Sequence, residues 1–216
     1  MNQKTHENNF GIIASSVDIP DSGNSFSDFL RKIEELPVKE IEIEAAYIDQ
    51  IKEFRSIHNQ VVTAMINYPL GGYSVEYLLE SIRWAAGNEI DIICTNLPLC
   101  FLRSNETGKL SSFIKEISRA CENKKLRISI ESGSLSRDEI STCCEMICNA
   151  GIFNLKSSSG FSGRTSSETI HFIKNNFPEI LLTVDNRLSG NSIEIDDLFR
   201  LGVNYICVNE PWLYHF

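Results

Sequence analysis

The sequence predicts a single parallel (β/α)8 barrel, a TIM barrel over residues 1–216 that lacks the final C-terminal helix. Three observations carry this prediction. Short apolar runs alternate with amphipathic stretches along the chain, an order that requires parallel pairing. Eight such runs occur, the number that closes a barrel. Most are rich in Ile and Val, or continuous enough for a strand buried on both faces. Closure is not encoded in the pattern, and an open doubly wound sheet is the alternative.

The first run, 11–18, precedes a Gly/Ser/Asn/Asp-rich stretch at 20–25 that reads as a strand-to-helix loop. A helix over 25–36 follows, with Ser25 as its cap. Run 38–46 is the second strand, and 47–57 fills the gap before the third at 61–70. Residues 74–86 place Leu78, Leu79, Ile82 and Ala85 at helical spacing. Strand 89–97, helix 110–121, strand 126–132 and helix 136–150 come next. Strand 153–159, helix 166–177, strand 179–186, helix 193–201 and strand 203–210 complete the series. Only residues 211–216 follow the eighth run. The uncovered wall offers a surface for a homodimer, and Trp212, Leu213, Tyr214 and Phe216 are placed to cover part of it.

Composition narrows the partners. Lys and Arg number 20 against 29 Asp and Glu, a formal charge of −9. This argues against nucleic acid or an anionic membrane surface, which need clustered positive charge. No apolar run approaches the length of a membrane span. The first ten residues are polar and do not read as a signal peptide. Seven scattered cysteines read as reduced thiols, so the expected location is cytoplasmic. The spacings suit no metal site, and no cofactor is expected.

In such a barrel, chemistry gathers at the C-terminal ends of the strands. Those ends supply Asp18, Glu42, Thr95, Glu131, Ser158, Asp185, Arg187 and Glu210 as candidate substrate-binding residues. Asn154, Lys156 and Ser158 share one face of the sixth strand, because side chains alternate. A lysine late in a buried strand is unusual. Desolvation favours its neutral amine, the form that attacks a carbonyl. The structural alternative is a lysine paired with Asp91 or Glu131 to satisfy charge.

Phe153-Asn154-Leu155-Lys156-Ser157-Ser158-Ser159-Gly160-Phe161 resembles the phenylalanine-x-x-lysine-threonine-serine-threonine-glycine-phenylalanine signature of the deoxyribose-phosphate aldolases. Gly163-Arg164-Thr165 follows as that family's glycine-alanine-threonine does. Tyr68-Pro69-Leu70-Gly71-Gly72 is similar to its turn after strand three. Gly87-Asn88-Glu89-Ile90-Asp91 is similar to its entry to strand four. Ile130-Glu131-Ser132, and the segment from Leu135 and Ser136 to Glu139 and Ile140, match two further segments. Together the matches span roughly residues 10 to 210 and imply a (β/α)8 barrel with Schiff-base, class I aldolase chemistry. The resemblance makes Lys156 the imine lysine and Asp91 the carboxylate that moves protons.

The chain departs from that family at the phosphate end. The seventh strand, Leu182-Thr183-Val184-Asp185, lacks the family's second lysine, and no Gly-Gly pair follows. Glu42 replaces a cysteine on strand two, and Glu210 would repel a phosphate. The expected substrate is therefore a non-phosphorylated carbonyl compound, used in cleavage, condensation, cyclisation or dehydration. Arg187 is the cation available to stand in for the missing lysine or to bind a carboxylate. Two alternatives are a catalytically inactive barrel kept for binding or assembly, and an orthodox deoxyribose-phosphate aldolase with a remodelled phosphate site.

Overall fold

The computed structural model describes residues 11–17, 25–69, 71–161, 163–186, 194–209 and 211. Eight parallel strands close in sequence order, each paired with the next and the eighth with the first. They are β1 (Gly11–Ser15), β2 (Glu40–Glu44), β3 (Val61–Ile66), β4 (Ile92–Asn96), β5 (Lys125–Ser129), β6 (Asn154–Lys156), β7 (Leu181–Asp185) and β8 (Tyr205–Val208). The helices are α1 (Phe26–Ile33), α2 (Ile48–Arg55), α3 (Val75–Ala86), α4 (Leu99–Arg103), α5 (Thr107–Ala120), α6 (Arg137–Asn149), α7 (Ser167–Asn176) and α8 (Ile195–Arg200). The barrel is therefore closed, and the open-sheet alternative is set aside. The expected missing last helix concerns residues 212–216, which lie outside the described residues.

Local chemistry explains most boundaries. Ser25 caps α1 by accepting from the Asp28 N–H at 3.2 Å, while the Asp28 carboxylate accepts from the Ser25 N–H. Ser136 and Glu139 form the same reciprocal cap on α6. Ser74 and Ser166 cap α3 and α7. The short helix α4 was not anticipated. It spans one turn after Pro98, too short for periodicity to show.

The sheet divides its residues cleanly. Ile41, Ile43, Val62, Ala64, Ile93, Leu155, Leu182 and Ile206 belong to the main apolar core under the helices. Residues of opposite parity face the barrel axis, and many of these are polar. In β2 the sequence Glu40-Ile41-Glu42-Ile43-Glu44 sends isoleucines outward and carboxylates inward. Two tiers of charge result. In the lower tier Arg127 of β5 reaches Glu40 with two bonds, at 2.5 and 2.9 Å, and Thr63 donates to the same carboxylate at 2.6 Å. In the upper tier, near the C-terminal strand ends, lies Lys156. Such buried ions persist only when paired and hydrogen-bonded.

Candidate active site

Lys156 is the last residue of β6 and is fully buried. Its Nζ donates to Glu42 Oε1 of β2 at 2.5 Å, across the barrel. Asp185 Oδ2, from the adjacent β7, lies at 3.3 Å, and Cys207 Sγ of β8 at 3.7 Å. Ser15 of β1 donates to Glu42 Oε1 at 3.1 Å, and the Cys207 thiol donates to the same atom at 3.4 Å. Five strands thus converge on one amine and two carboxylates.

The register explains the convergence. Lys156 is level with Thr183, which puts Asp185 one inward step higher on β7. Asp185 is level with Cys207, and Glu42 with Ser15. Glu42 and Asp185 both favour the ammonium form of Lys156, whereas burial favours the amine. Desolvation alone, the sequence argument for a reactive amine, therefore does not describe this site. Two neighbouring carboxylates oppose it. Cys94 faces the same interior, and burial pushes its thiol up to about 12, with Glu42 adding to the shift and Lys156 opposing it. It is a poor nucleophile.

The other candidates fall into three groups. Glu131 lies at the mouth, accepting from Ser159 N–H at 3.0 Å and from Asn96 Nδ2 at 3.3 Å. Ser158 holds the turn after β6: its hydroxyl donates to Gly163 O at 2.9 Å and accepts from Gly160 N–H at 3.0 Å. Glu42 and Asp185 touch Lys156 itself.

Asp91 and Thr95 require correction. Asp91 precedes β4 at the N-terminal, opposite end of the barrel. There it pairs with Arg55 of α2 and accepts from Val62 N–H at 2.8 Å. Cys94 and Asn96 point inward, so Asp91, Ile93 and Thr95 point outward. Asp91 does not reach Lys156, and Thr95 is buried on the outer side of the sheet. Asp18, Arg187 and Glu210 lie outside the described residues. Ser15 and Cys207 were not selected from sequence. Their signal was strand parity, which places each on the inward face.

No family model matches the chain. Among curated proteins, the deoxyribose-phosphate aldolase of Metamycoplasma hominis is 25% identical over 174 residues, covering 80% of each chain. Further curated enzymes of that name match at similar identity. The chain is thus similar to the deoxyribose-phosphate aldolases at 25–29% identity. Solved structures agree on the fold. An aldolase, QR15, superposes with a TM-score of 0.79 at 19% identity, over 95% of this chain and 92% of that one. The tetrameric deoxyribose phosphate aldolase of Aeropyrum pernix gives 0.76 at 14% identity, over 92% and 85%. No helix among the described residues is long and apolar enough to cross a membrane.

Proposed function

We propose that the protein is a class I aldolase-type lyase that forms its imine on Lys156, with Glu42 as the proton-transfer group. The observation that carries this reading is the direct 2.5 Å contact between Lys156 Nζ and Glu42 Oε1 inside a closed barrel. Glu42 takes the role that the sequence resemblance assigned to Asp91.

The chemistry follows from the contacts. Transfer of one proton from the Lys156 ammonium to Glu42 leaves a neutral pair in which the amine is nucleophilic. The amine adds to the substrate carbonyl carbon, and the carbonyl oxygen takes up the proton. Loss of water from this carbinolamine, with protons moved by Glu42 or Asp185, gives the protonated imine. A carboxylate then removes the proton of the β-hydroxyl. The carbon–carbon bond breaks, its electron pair passes into the iminium to form an enamine, and an aldehyde leaves. The reverse sequence joins the same bond.

The substrate we propose is a carbonyl compound without a phosphate. Glu42, Glu44, Glu131 and Asp185 all lie on strands or strand ends around the mouth, a poor setting for a dianion. β7 carries Asp185 and no lysine. A homo-oligomer is consistent with the tetrameric neighbour.

Borohydride reduction in the presence of small aldehydes and ketones tests the chemistry. An adduct confined to Lys156 is expected. A folded protein that gives no adduct across a broad carbonyl panel would overturn it, and rapid turnover of deoxyribose 5-phosphate would overturn the substrate assignment. A binding-module reading is favoured by one observation: Lys156 is fully buried between two carboxylates, as a structural ion pair would be.

A further inference from the structure

A cleft of about 540 Å3 runs from Glu44 and Met65 out to α3. Glu44 is the inward residue next above Glu42 on β2. Met65 packs with Val17 and Cys94 in the barrel interior. The cleft therefore begins one inward step above Glu42, the Lys156 partner on β2.

Its outer wall is aromatic and acidic. Tyr77, Glu80 and Trp84 form one stripe of α3 at helical spacing. Tyr73 meets Tyr77 edge-on at 5.1 Å. Tyr73, Tyr77 and Trp84 are 45%, 58% and 49% exposed, an unusual cost for three large rings in one place. Among the described residues, the lining holds the carboxylates of Glu44 and Glu80 and no lysine, arginine or histidine. Aromatic faces and carboxylates attract the same ligand class, an organic cation.

We infer that this cleft binds the non-reacting end of the substrate, and that this end is a protonated or quaternary amine. The inference rests on the proposed carbonyl chemistry at Lys156 and extends it to the class of substrate. Glu44 joins the two: it is one of the carboxylates around the mouth that disfavour a phosphate, and it lines the cleft where it would attract an amine.

Calorimetric titration with choline tests this without turnover. Its uncharged isostere, 3,3-dimethylbutan-1-ol, serves as the control. Choline is expected to bind wild type and Asp91→Asn alike, and at least about fivefold more tightly than the isostere. Trp84→Ala and Glu44→Gln should each weaken choline by about threefold or more. Equal binding of the isostere would overturn the inference in favour of a merely apolar groove. Absence of choline binding at roughly 10 mM would overturn it too. So would a dimer, seen by light scattering, that Trp84→Lys dissociates, because the occupant would then be a second copy. Trapping at Lys156 is read separately, so failure of the cation site and failure of the imine chemistry are distinguishable.

Discussion

The Lys156–Glu42 pair can be isolated by a double-mutant cycle. Glu42→Gln keeps shape and hydrogen bonding but removes the charge 2.5 Å from Nζ. Asp185 remains at 3.3 Å, so the ammonium keeps one partner. Lys156→Met leaves two buried carboxylates without their cation and is the more damaging change. Breaking a buried pair costs about 3–5 kcal/mol. With Asp185 as a remaining partner, the lower end of that range, about 3 kcal/mol, is expected for Glu42→Gln, and the upper end, about 5 kcal/mol, for Lys156→Met. In the double variant, one carboxylate fewer is stranded. The two effects should fall short of additivity by about 2–3 kcal/mol. Urea unfolding at pH 7 of the four proteins measures this, with midpoints compared at constant slope. Additivity within about 0.5 kcal/mol would refute the reasoning, because the pair would then contribute nothing as a pair.

Asp91→Asn should lower stability by about 1 kcal/mol through the half-exposed Arg55 pair, measured by the same unfolding assay. Arg127→Met strands Glu40 in the lower tier and should cost about 3–5 kcal/mol in thermal or urea unfolding. Burial pushes the thiols of Cys94, Cys121 and Cys143 up to about 12 from an ordinary value near 9. Their folded pKa is raised, so the stability they contribute is complete below pH 9 and is lost as pH rises towards 12. The unfolding free energy measured in urea should fall between pH 9 and 11, by up to about 1.4 kcal/mol per pH unit for each thiol. The exposed Cys100 should react quickly with a disulfide reagent at pH 8, while Cys94, Cys121 and Cys143 react only after unfolding.

The fold was legible because the barrel's outer face is aliphatic. Ile41, Ile43, Ile93 and Leu155 mark their strands whatever lies inside. The count of eight runs then pointed to closure. The position of Lys156 was legible for the same reason, since its strand and signature lie together. The proton partner was not. Glu42 is 114 residues away and meets Lys156 only because β2 and β6 stand opposite each other in a closed ring. Asp91 carried the right motif, but strand parity turns it outward at the wrong end, to Arg55. A single step along a strand reverses the face, and motif spacing read without a register cannot detect that step. Glu42 was marked in the sequence as a departure from the resembling family, which was the available signal for its importance.

In the proposed mechanism Glu42, and not Asp91, moves protons for an imine at Lys156. The rate of borohydride trapping at Lys156 by a small aldehyde tests it most directly, compared in wild type, Glu42→Gln and Asp91→Asn. A loss of about 100-fold or more is expected for Glu42→Gln and an unchanged rate for Asp91→Asn. An unchanged rate for Glu42→Gln with a collapse for Asp91→Asn would contradict it.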